Sequence, residues 1–109
     1  MAVYTSNIII YTGTNLEQSY ILEDDAGLMN LTDYTVISKM KRHPTSSSST
    51  TFASSVPNAI AGRIKISLSP EQTILLKPGK YVYDIILYKN GLGTRVIEGE
   101  VFVKKSITR

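Results

Sequence analysis

Apolar and polar residues alternate most cleanly over residues 62–68, where Ile64, Ile66 and Leu68 face one way and Arg63, Lys65 and Ser67 the other. That two-residue period predicts a β-strand with one buried face. The strongest strand signal lies at 81–88. Tyr81, Tyr83, Ile85 and Leu87 share one face there, and Val82, Asp84, Ile86 and Tyr88 the other. A strand apolar on one face and largely apolar on the other belongs in the middle of a sheet. Further strands are predicted at 7–11, at 16–23 (Leu16, Tyr20 and Leu22 inward) and at 34–41, where Val36, Ser38 and Met40 oppose Ile37, Lys39 and Lys41. A weak strand covers 52–56 and ends at Pro57-Asn58. The last runs from 94 to about 103, with Ile97, Gly99, Val101 and Val103 on its inner face.

Turn chemistry separates these runs. Thr12-Gly13-Thr14-Asn15, Asp24-Asp25-Ala26-Gly27 and Lys89-Asn90-Gly91-Leu92-Gly93 supply local caps and positive φ, and Asn-Gly is the strongest of these hairpin signals. Ser69-Pro70-Glu71-Gln72 reads as an N-cap, a proline in the first turn and an acidic start, predicting one or two helical turns over 70–75. Ile74 and Leu75 are then expected to close one end of the core. Seven strands with frequent turns and no βαβ alternation predict an all-β fold: a single antiparallel immunoglobulin-like β-sandwich over residues 1–109, with one short helical turn. In such sandwiches a tyrosine near the start of the sixth strand hydrogen-bonds back across the preceding corner. Tyr81 follows Pro78-Gly79 at the matching place, so Pro78, Gly79 and Tyr81 form the predicted structural corner. Tyr83 stands where antibody domains carry their second cysteine.

The composition removes several alternatives. The chain has no Cys, which excludes disulfides, thiolate metal sites and cysteine nucleophiles, and no Trp. A true antibody-type domain is thereby ruled out, but the architecture is not. The net charge of +3 over 109 residues is mild, and the basic groups Lys39-Met40-Lys41-Arg42-His43 and Lys104-Lys105 are short. Nucleic acid is not an expected partner, since these groups and Arg109 would have to converge among exposed aromatics. The N-terminus lacks the basic start and apolar run of a signal peptide, and no apolar stretch is long enough for a membrane helix. The expectation is a protein made and kept in solution, without a membrane partner; the Asn30-Leu31-Thr32 sequon is read as a chance match.

Candidate chemistry is sparse. His43, the single histidine, opens the polar segment Thr45-Ser46-Ser47-Ser48-Ser49-Thr50-Thr51, read as a mobile loop too unordered to hold a nucleophile. Glu98 and Glu100 share a strand face as a glycosidase pair requires, but a solubilising or cross-strand ion-pairing role is the stronger reading. Asp24-Asp25 lacks calcium-loop spacing, and Gly91-Leu92-Gly93 does not lead into a helix. No catalytic residue, metal or cofactor is expected. Asp84, set between Val82 and Ile86, is the one charge predicted to be partly buried, in an ion pair or a subunit contact. Unexplained apolar residues at strand faces, tips and chain ends, Val3, Tyr4, Tyr11, Tyr88, Leu92, Phe102 and Ile107, are the candidates for a subunit interface.

Four segments carry a resemblance across almost the whole chain: Leu31-Thr32-Asp33-Tyr34-Thr35-Val36, Gly62-Arg63-Ile64-Lys65-Ile66, Leu76-Lys77-Pro78-Gly79-Lys80-Tyr81-Val82-Tyr83-Asp84 and Arg95-Val96-Ile97-Glu98-Gly99. In order and spacing they resemble small immunoglobulin-like virion structural proteins of tailed bacteriophages, similar to the N-terminal domain of upper-baseplate proteins, with Asp33 where a glycine is common. The resemblance implies a non-enzymatic virion protein, made in the host cytoplasm, that joins or reinforces neighbouring subunits in tail, baseplate or neck. Other virion proteins and further copies of the chain are its implied partners. Capsid decoration and a carbohydrate-binding module using exposed tyrosines are the alternatives. Because the chain stops at its last predicted strand, no appended receptor-binding domain is expected.

Overall fold

The computed structural model describes residues 3–24 and 27–107. Among them are β1 (Tyr4–Thr5), β2 (Ile8–Tyr11), β3 (Leu16–Ile21), β4 (Glu23–Asp24), β5 (Gly27–Leu28), β6 (Thr35–Lys41), β7 (Thr50–Thr51), β8 (Ala53–Asn58), β9 (Arg63–Leu68), α1 (Pro70–Thr73), β10 (Gly79–Lys89) and β11 (Leu92–Lys104). The larger sheet has the order β1-β11-β10-β6-β7, with β2 also paired to β11, and the smaller has the order β3-β9-β8. They stack face to face as an all-β, immunoglobulin-like sandwich. The inward sets foreseen from alternation fill the interface: Ile64, Ile66, Leu68, Ile85, Leu87 and Val101 are all at most 1% exposed. Burying side chains of this size contributes about 1.5–3 kcal/mol each. The strand β10 lies between β6 and β11, which places it mid-sheet.

Pairing is antiparallel throughout except at the N-terminal edge, where β1 and β2 both run parallel to β11. These two are halves of one edge strand, broken at Ser6-Asn7. The Ser6 carbonyl turns inward to accept the Tyr83 hydroxyl. The Asn7 side chain fills the gap in the ladder, its Oδ1 accepting from the Glu100 N–H at 3.0 Å. Gly99 lies directly opposite Tyr83 in the β10–β11 register, and a Cβ there would collide with the Ser6 carbonyl. Glycine at this position is therefore a packing requirement of the break.

Tyr83 is 4% exposed and meets the Phe52 ring edge-on at 6.1 Å. Since its proton is committed to the Ser6 carbonyl, which can only accept, the 3.0 Å contact with the Tyr20 hydroxyl is a bond donated by Tyr20. Tyr20 belongs to β3 of the smaller sheet, so the pair spans the sandwich. Burial pushes the Tyr83 phenol well above the ordinary tyrosine range, which keeps it a neutral donor. Phe52 itself marks where the chain changes sheets. Its N–H still donates to Ser38 of β6, while the following residues pair with β9. The weak strand starts after Phe52 and continues past Pro57 to Asn58 on the sheet edge, through a register shift that tolerates the missing N–H.

The corner forms as anticipated: the Tyr81 hydroxyl donates to the Lys77 carbonyl at 2.8 Å. The Arg42 guanidinium lies over the Tyr81 ring, 4.7 Å from its centroid. Asp33 takes a left-handed φ of 70, the conformation for which glycine is the default and Asp a tolerated substitute. Asn90 and Gly91 both have positive φ, as the tight β10–β11 hairpin requires. Of the acidic turn before Gly27, Asp25 and Ala26 lie outside the described residues; its flanks β4 and β5 pair antiparallel.

One expectation is corrected. Ile74 and Leu75 do not plug the core; they are 46% and 82% exposed. The capping box of Ser69 and Gln72 fixes a single turn. The turn is anchored by Thr73, fully buried, whose hydroxyl accepts from the Gly13 N–H at 3.0 Å and donates to the Thr14 carbonyl at 2.8 Å. With Thr73 pointing inward, the next two residues rotate away, and Leu76 returns to the core edge.

Two substitutions test these assignments by urea unfolding. Gly99→Ala should destabilise by about 2 kcal/mol or more, through displacement of the Ser6 backbone and loss of its bond to Tyr83. Tyr81→Phe keeps the ring and removes only the corner bond, with an expected cost of about 1 kcal/mol.

Candidate functional site

The two outer faces of the sandwich differ. That of the smaller sheet carries Glu17, Ser19, Arg63, Lys65, Ser67, Ala53 and Ser55, a polar surface interrupted by Ile21, with Lys65 paired to Glu17 at 3.2 Å. The outer face of the larger sheet carries the second face of the central strand: Val82, Asp84, Ile86 and Tyr88, all half-buried although no layer of the described residues covers them. Ile37 (39% exposed) and Ile9 (50%) extend this surface on either side. An open groove of about 810 Å³ runs across it.

The strand registers order the charges on this face. In one row Lys39 (β6), Asp84 (β10) and Glu98 (β11) lie side by side, and in the next Lys41, Val82 and Glu100. In these two rows basic residues on β6 thus face acidic residues on β11 across β10, while Arg95, in the neighbouring row of β11, carries the opposite charge. Two of the acidic groups are neutralised internally, Asp84 of β10 by Arg95 at 3.2 Å and Glu100 of β11 by Lys80 at 3.0 Å. Lys39, Lys41 and Glu98 make no ion pair among the described residues. Asp84, its side chain 29% exposed, is the partly buried charge foreseen from its apolar neighbours.

The sequence-derived interface candidates do not form one patch. Tyr88 and Phe102 are half-buried on the larger sheet's outer face, and Tyr11, 49% exposed, ends β2 beside Lys104. Val3 and Tyr4 lie at the N-terminal edge and Leu92 at the hairpin tip, while Ile107 is fully exposed beyond β11. Ile9, Ile37, Val82 and Ile86 complete the surface. The signal for them was the apolar second face of the central strand, which fits burial between layers and an uncovered outer face equally well. Ile60 and Leu75 are also exposed, at 75% and 82%, but outside this face.

The residues weighed for catalysis occupy a turn and a strand face. His43 is exposed in a tight turn with Ser46, whose N–H donates to the His43 carbonyl at 3.0 Å. Glu98 and Glu100 share a face, as expected, with Glu100 held by Lys80. Among the described residues no three His, Asp or Glu side chains converge as metal ligands. Lys39 and Lys41 lie on β6 and Lys104 at the far end of β11, two strands away, and Arg109 lies outside the described residues. Among the described residues no helix is long and apolar enough to cross a membrane.

Fold and surface together define an immunoglobulin-like β-sandwich with one exposed sheet face that combines apolar residues with segregated charge. No family model matches the chain, and no curated protein does. Among solved structures, the crystal structure of Listeria monocytogenes InlP aligns with 91% of this chain at 13% identity and a TM-score of 0.47. The chain spans 26% of the length of that protein. The architecture stated above rests on the strand order and core of the chain itself.

Proposed function

We propose that this chain is a non-enzymatic structural subunit of a virion that joins or reinforces neighbouring subunits through the outer face of its larger sheet. The observation that carries the adhesive role is the contrast between the two outer faces. One is polar; the other leaves Ile37, Val82, Ile86 and Tyr88 beside unpaired Lys39, Lys41 and Glu98. Apolar groups rimmed by charge are the ordinary composition of a protein-binding surface. The virion placement is supported by the sequence resemblance to small phage baseplate domains, and tail, baseplate or neck is the location it favours.

Cross-linking mass spectrometry on gradient-purified particles from the source lysate tests both parts. Links from Lys39, Lys41 or Lys89 to tail or baseplate proteins are the expected result. Links to the shell protein instead make the chain a capsid decoration protein. Absence of the chain from the particles overturns the virion placement.

A further inference from the structure

The two charged rows on the larger sheet are self-complementary, and this identifies an occupant for the face. Consider two copies with these faces together, related by a two-fold axis parallel to β10. Such an operation exchanges left and right across the strands while keeping each row level. It sets β6 of one copy over β11 of the other. Lys39, without an ion pair of its own, then lies over Glu98 of the second copy in the same row, and Lys41 over Glu100, each pair formed twice. Val82 and Ile86 meet their counterparts on the axis and supply an apolar centre. The two Asp84 side chains also meet there, each already held by its own Arg95. An axis running across the strands has the opposite effect, placing the Lys39–Lys41 column against itself.

We infer that a second copy of this chain docks on the outer face of the larger sheet, with Lys39 and Lys41 of each protomer opposite Glu98 and Glu100 of the other. The inference rests on reading this face as the docking surface and deepens it by naming the partner. The area suffices. The strands of the larger sheet, from two residues in β7 to thirteen in β11 and about 4.8 Å apart, together present on the order of 600 Å² of projection, and side-chain relief raises this towards the roughly 800 Å² per partner of a standard interface.

Charge reversal tests the pairing in purified protein, read by sedimentation velocity at low ionic strength, with circular dichroism confirming that each variant is folded. The wild type should dimerise, more weakly at high salt. Both Lys39→Glu/Lys41→Glu and Glu98→Lys/Glu100→Lys should weaken self-association by about tenfold or more, since each places like charges in contact. An equimolar mixture of the two variants should recover the dimer. A monomeric wild type, variants that dimerise as well as the wild type, or folded variants whose mixture stays monomeric would each overturn the inference. These outcomes are separable from the virion reading. A monomer that still cross-links to other particle proteins through Lys39 and Lys41 removes only the self-pairing. A chain absent from particles that dimerises as described loses only its placement.

Discussion

The Tyr83 hydroxyl links three parts of the chain that are remote in sequence. It donates to the Ser6 carbonyl in the N-terminal edge strand, accepts from Tyr20 in the opposite sheet and, through its ring, contacts Phe52 where the chain changes sheets. A cysteine-free sandwich has no covalent tie between its layers. Here a hydrogen-bonded tyrosine pair stands between strands β3 and β10, in an interface that is otherwise mostly apolar. Its partners are specific: the inward Ser6 carbonyl needs the bare Cα of Gly99 beneath it, and the ladder it abandons is restored by Asn7. A buried hydroxyl left without partners costs more than the bond itself contributes, so the arrangement discriminates against slipped registers of the N-terminal strand.

That constraint shapes the surface on which function is proposed. Because Ser6 is drawn inward, β1 and β2 are held as a parallel extension of β11, and the larger sheet widens on the side of Glu98 and Glu100. With β6 on the opposite flank, the central strand is enclosed within its sheet but uncovered on its outer face. Its apolar residues there are half-buried by neighbouring side chains alone. Exposed apolar surface in the middle of a sheet has fewer local explanations than at a loop tip, where single exposed hydrophobes are ordinary.

The sequence was legible where the physics is local. Alternation over 63–68 and 81–88, the Asn90-Gly91 turn and the Ser69 N-cap depend on residues within a few positions of each other, and each forms as read. Tyr81 was also legible, because its partner Lys77 is four residues away. The broken edge strand was not: its cause lies in contacts between Ser6 and residues 83 and 99. The helical turn failed at Ile74 and Leu75 because one turn carries too few residues to fix a face, and Thr73 was oriented by Gly13 and Thr14. The interface candidates taken from tips and termini scattered for a related reason. An apolar residue on the second face of a central strand has the same sequence signature whether a further layer covers that face or leaves it open.

The measurement that bears most directly on the inter-sheet tie is a double-mutant cycle on Tyr20→Phe and Tyr83→Phe, followed by urea unfolding. Both substitutions keep the rings and their packing, so the coupling isolates the hydroxyl contact across the sandwich. A coupling of about 1 kcal/mol, with Tyr83→Phe the costlier single change because it also orphans the Ser6 carbonyl, is the predicted result. Strictly additive effects would show that the two hydroxyls do not meet, and the sheets would then be held together by apolar packing alone.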